Sequence, residues 1–112
     1  MDEYSKSIRR VLRELRDIAH EREISQHIEK LWEKFQEWKS GKIQVWDLTE
    51  VIHEFDYRTA RQLYLYYNGN KPDITVCDAI NAGLLKEDEV PSKVLDVIKW
   101  KLEKYRKLKE SE

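Results

Sequence analysis

The first thirty-nine residues carry two apolar stripes of helical period that disagree in phase. Tyr4, Ile8, Val11, Leu12, Leu15, Ile18 and Ala19 form the first. Ile24, Ile28, Leu31, Phe35 and Trp38 form the second, with Trp32 at its margin. Both follow the i, i+3, i+4, i+7 spacing of one helix face. No Gly or Pro interrupts residues 2–39, and good helix formers fill them. Leu12 to Ile28, and Leu15 to Leu31, are each sixteen residues apart. At about 100° per residue that separation turns the stripe by roughly 160°. One straight helix would then show apolar faces on opposite sides, so it cannot lie on a single core from Asp2 to Lys39. Two arrangements satisfy the pattern. A break near Glu21–Ser25, with Ser25 as N-cap, folds the first helix back onto its own domain. A continuous helix instead turns Leu12 and Leu15 outward, to be covered by a second copy of the chain. Cover is needed because each large side chain left in water forfeits about 1.5–3 kcal/mol. The continuous, dimer-making arrangement is preferred, since Ala19 to Lys30 has no Gly, Pro or Asn to make a turn.

Downstream the pattern is plainer. Ser40-Gly41 closes the second stripe, Gly being free to take the left-handed conformation past a helix end. Val45, Leu48, Val51, Ile52 and Phe55 predict a short amphipathic helix. Asp56 is positioned to cap the next, Tyr57 to Tyr67, with Ala60, Leu63, Tyr64 and Tyr67 on its apolar face. Pro72-Asp73 opens an apolar helix carrying Ile74, Val76, Cys77 and Ile80, which Gly83 stops. Past the acidic turn Glu87-Asp88-Glu89 and Pro91, the last helix runs through Val94, Leu95, Ile98, Leu102 and Tyr105 to about Lys109. The fold class is all-α: a compact, bundle-like single domain over residues 1–112, of five or six helices. Its core is expected within residues 24–105, with the N-terminal segment packed on it or on a partner.

Composition narrows the class further. With three Gly and two Pro in 112 residues, the chain lacks the turns a β-sandwich needs every 8–12 residues. Charged residues make up 38% and apolar ones 40%, so neither a membrane protein nor a disordered chain is indicated. No apolar run approaches membrane-spanning length, and no signal-peptide pattern follows Met1. A lone cysteine, Cys77, cannot form an internal disulfide, and a reducing cytoplasm is the expected location. Lys+Arg and Asp+Glu total 21 and 22, a balance that removes the bulk-charge argument for nucleic acid.

Local chemistry offers several candidates. Arg9, Arg13 and Arg16 share a helix face with Arg10 beside them, an array that suits phosphate contact. The same residues also fit a solvated face in which charges segregate. His20, Glu23 and His27 fall on one face of a continuous helix, but the two histidines stand two turns apart, too far to ligate one ion together. No metal site or cofactor is expected. Asp47, Glu50 and Glu54 point away from the apolar stripe of their helix and read as wet carboxylates. Cys77 sits in an apolar helix with no basic neighbour to activate it. Neither a phosphate loop nor a nucleophile elbow appears, so nothing marks an enzyme.

The aromatics point elsewhere. Four Trp and six Tyr form a heavy load, and Trp46, Leu65, Tyr66 and Trp100 lie off their helices' core stripes. Such residues dominate interface hot spots, although they can also cover a second packing seam. The function expected is therefore non-catalytic: contact with another protein or a second copy, as a dimer or an accessory or regulatory subunit. Leu12, Leu15, Trp46, Leu65, Tyr66 and Trp100 are the interface candidates. The alternative is a nucleic-acid-associated protein acting through Arg9, Arg10, Arg13 and Arg16.

Overall fold

The first helix does not break. In the computed structural model, which describes residues 4–111, α1 runs unbroken from Lys6 to Lys39 (Lys6–Lys39), with the Ser5 hydroxyl accepting the Ile8 N–H at its start. Asp2, where the helical pattern begins in the sequence, lies outside the described residues. Ser40 and Gly41 end α1, Gly41 taking a φ of +83°. The chain then reverses into α2 (Val45–Glu54), a π-helical segment (Phe55–Ala60) and α3 (Arg61–Gly69). Those three are one helical rod over 45–69. α4 (Pro72–Asn81) and α5 (Ser92–Glu110) follow, separated by a turn at Gly83 and a 3-10 turn (Glu87–Glu89). The described residues are thus all-helical, in four helices rather than five or six.

The count falls short because Asp56 caps nothing. Residues 54, 55, 60 and 61 all keep right-handed helical φ and ψ, so the helix passes straight through the π segment. A π turn closes on the fifth residue, and each residue in it advances roughly 80° instead of 100°. Six such residues delay the phase by roughly 110°, about one residue's rotation. Continued as plain α-helix, Tyr67 would sit roughly 120° around from Phe55. The delay brings it back. Leu48, Phe55, Leu63 and Tyr67 consequently share one side of the rod, the side laid along α1.

The mismatch inside α1 is resolved in another way: both faces are used by the chain's own helices. Leu12, Leu15 and Ala19 join Tyr67, Val76, Cys77, Ala79, Leu85, Val90, Val94, Ile98 and Leu102 in one buried cluster. From the second stripe, Ile24, Leu31 and Phe35 lie half-buried on another face, where α1 meets α2, the π segment and α3, while Ile28 and Trp38 remain exposed. This corrects two expectations. Leu12 and Leu15 are not an interface, being 2% and 5% exposed within one chain. Nor does the core begin at residue 24, because the first half of α1 is central to it. The helical wheel identified the apolar face correctly but not what would cover it: α4 and α5, sixty or more residues later.

Two groups of polar ties hold this base together. Asp73, at the second position of α4, is 3% exposed. It accepts hydrogen bonds from the Tyr4 hydroxyl at 2.7 Å and from the Lys101 ammonium. Burial works to raise its pKa, but the hydrogen bonds from Lys101 and Tyr4 prevail and hold it below the ordinary carboxylate value. Arg22 donates through both terminal nitrogens to Glu89, at 2.9 and 2.6 Å, and to the Leu84 carbonyl at 2.8 Å. That fork fastens the 84–89 turn to the middle of α1.

The whole is elongated rather than compact. Its longest extent, 54 Å, matches the roughly 51 Å expected of a 34-residue helix, so α1 spans the molecule. The radius of gyration is 17.5 Å, against roughly 13 Å for a compact domain of this length. The excess comes from the distal end. Beyond the reach of α4 and α5, only α1 and the rod remain, forming an arm two helices thick.

Candidate interaction surface

The two sides of this arm differ in chemistry. On one side lies an open groove floored by Leu31, Val51 and Phe55. Its walls are polar: His27, Lys30 and Lys34 from α1 face Asp47, Glu50 and Glu54 from α2. These carboxylates are therefore set opposite cations, and Asp47 also accepts the Gln44 N–H at 3.0 Å to cap α2. On the other side, helical phase places Ile28 and Trp32 on α1 beside Val45 and Ile52 on α2. All four are exposed, Trp32 at 62% and Ile28 at 49%. Ser25 and Thr49 are the polar residues sharing that strip. Charges stand only at its margins, as Glu21, Glu29 and Lys39 on α1 and Asp56 just past α2.

The reason for this exposure is geometric. A helix packed against a single neighbour buries one seam, and the arm's seam is narrow, with Leu48 the one α2 side chain fully buried. Apolar residues flanking a seam are covered only when a third or fourth helix is laid over them. Here none is, because α4 and α5 are committed to the first half of α1.

The aromatic candidates fall in different places. Trp46, at 74% exposed, stands on the outer face of α2 at the arm's far end. Leu65 is exposed on α3, nineteen residues along the same rod. Between them His53 stacks on Tyr57 at 5.4 Å, and the Arg61 guanidinium lies over Tyr57 at 5.9 Å. Trp100 is exposed on α5 with the Lys101 ammonium 5.3 Å from its ring. Tyr66 differs from the other three. It is half-buried, packs on the core cluster and donates to Asp78 at 2.6 Å, so it is anchored inside the chain. Trp46, Leu65 and Trp100 do not make one patch.

The arginine stripe is divided as well. Arg10 and Arg13 are exposed, Arg10 lying 3.9 Å from Glu14. Arg9 is half-buried, and Arg16 is largely covered and bonded to Asp17 at 3.0 Å. His20 stacks on Tyr67 at 4.7 Å, while the Tyr67 hydroxyl donates to Glu23 at 2.5 Å. The face that pairs His20 with Glu23 in sequence thus serves to seat a buried tyrosine. Burial, with the Glu23 bond, drives the Tyr67 pKa upward and keeps it a donor. Among the described residues, no three His, Cys, Asp or Glu side chains gather where they would hold a metal ion. Cys77 is fully buried, and burial pushes its thiol up to about 12. No helix among them is long and apolar enough to cross a membrane.

The Ile28, Trp32, Val45 and Ile52 strip escapes sequence reading because each member belongs to, or borders, a helical apolar stripe and so resembles core. Trp32, at the edge of its stripe, is the one visible sign. Compared with family models, with curated proteins and with solved structures, the chain matches none.

Proposed function

We propose that the protein is a non-catalytic interaction module of the cytoplasm, acting through protein contacts made by the uncharged side of its arm. One observation carries this reading. Four large apolar side chains lie uncovered along one side of a two-helix layer, while the charges are gathered on the other. Depletion of charge with enrichment of aromatics distinguishes the centre of a protein interface from ordinary surface. Burying this strip recovers the transfer free energy that the isolated chain forfeits. An accessory or regulatory subunit, or a self-associating protein, uses such a surface in the same way.

The test is site-specific photocrosslinking of the full chain in the cells that make it. A benzophenone amino acid replacing Trp32 or Ile52 should give a discrete protein adduct, whereas one replacing Lys30 or Glu50 on the charged side should not. Absence of any adduct at 32 and 52 overturns the reading. The arginine alternative separates by salt, since phosphate contact weakens steeply with ionic strength and an apolar contact does not.

A further inference from the structure

We infer that the occupant of the uncharged strip is a second copy of this chain, two arms closing into an antiparallel four-helix bundle about a two-fold axis. The inference rests on the reading just given and names its partner. An antiparallel helix pair with one bare apolar side is half of a four-helix bundle, and laying two such sides together completes it. In either two-fold arrangement, strip on strip, each helix runs antiparallel to its new neighbour.

The strip suits itself. At its centre Ile28, Trp32, Val45 and Ile52 meet no like charge from a partner, because neither copy brings one there. A charged partner surface would find nothing to pair with. Size agrees. The arm's helices are paired over roughly 24 Å of length and about 20 Å of width, a footprint near 500 Å². With the relief of interlocking side chains, about 1,000 Å² or more is buried in total, the lower bound for a specific interface. Both thick bases lie beyond this footprint, since α4 and α5 cover the first half of α1 and meet the rod only at its α3 end, away from the arm.

Light scattering of the purified full chain across a dilution series tests the inference. The mass should rise with concentration to twice the 13.6 kDa of one chain. Trp32→Glu and Ile52→Glu should each weaken association at least thirtyfold, equivalent to about 2 kcal/mol at a hot-spot residue. Lys30→Glu, on the charged side, should leave it unchanged. The far-UV helical signal should survive all three changes, since the side chains are exposed, and Trp32→Ser replaces Trp32→Glu where it does not. A wild-type chain that stays at the single mass at every concentration overturns the inference, as does a dimer indifferent to Trp32 and Ile52. Its failure is distinct from failure of the broader reading. An adduct of foreign mass at position 32 removes the second copy but keeps the arm as an interaction surface, while no adduct removes both.

Discussion

Asp73 is the residue on which the base is most exposed to damage. Its carboxylate is buried, and its charge is tolerable because Lys101 and Tyr4 bond to it. Removing one partner of a buried ion pair costs about 3–5 kcal/mol, since the other is left charged and uncompensated. Lys101→Met should therefore lower stability by about that much in urea denaturation, and adding Asp73→Asn should recover part of the loss. Glu89 gives a second, pH-dependent expectation. The hydrogen bond from Arg22 holds its pKa down to about 2, below an ordinary 4.5. A depressed carboxylate contributes stability that is complete above its unfolded pKa and disappears as pH falls through the folded one. The Tm difference between wild type and Glu89→Gln should be constant above about pH 5 and shrink between 4.5 and 2. A difference that persists at pH 2 would show that the Arg22 fork is not its source.

At the level of elements, the sequence holds two phase conflicts, and the chain resolves them without a single break. In α1 the conflict was readable, from the sixteen-residue spacing of Leu12 and Ile28. Its resolution was not, because periodicity locates an apolar face but does not say whether a distant helix or another chain covers it. In the rod the Phe55 and Tyr67 stripes also disagree in phase, but the sequence offers Asp56 as an N-cap and so suggests a boundary there instead. A π turn is invisible to a pattern search that assumes 100° per residue, so one rod was divided into two helices. The all-α class, the Gly41 and Gly83 stops and the extents of the last two helices were legible, since turn residues and unconflicted stripes mark them. The exposure of Trp46 and Trp100 was legible from their wheels, although neither lies on the strip. The Ile28 and Ile52 strip needed the pairing of α2 with α1 to be seen. The π segment makes its own prediction. Deleting exposed Arg58 removes about the rotation that the π turn delays, so the rod reverts to plain α-helix with Tyr67 still facing α1. The cost should stay within the about 0.5–3 kcal/mol of an ordinary substitution. Inserting Ala after Arg58 instead rotates Tyr67 off its seat, at about the 3–5 kcal/mol of truncating a buried aromatic. Equal losses in the two variants, measured by thermal unfolding, would refute the phase argument.

At the scale of the molecule, stability is graded along α1. The base has a continuous buried cluster, whereas the arm has one narrow seam and exposed flanks. Local opening follows buried contact, so amide exchange should be uneven along a single helix. At concentrations low enough to keep the chain monomeric, amides of residues 28–38 and of α2 should exchange well before those near Leu15, Ala19 and α4. At high concentration, pairing of arms should slow the first group and leave the second nearly unchanged. Hydrogen exchange read by mass spectrometry at two concentrations follows both. Uniform exchange along α1 would mean that arm and base open as one unit.

That α1 is covered from opposite ends of the sequence also sets an order of events during synthesis. The arm closes on local terms, because the rod follows α1 after a five-residue turn and can fold as soon as it leaves the ribosome. The base has to wait. Leu12 and Leu15 are translated first among its members, yet their cluster is completed by Val94, Ile98 and Leu102. At about 5–20 residues per second, those leucines spend several seconds without their final cover. A nascent chain stalled before residue 90 should therefore be cut readily by protease around Leu12 and Leu15, which the finished chain protects. The growing polypeptide would then be most vulnerable to aggregation at the segment that ends up most deeply enclosed.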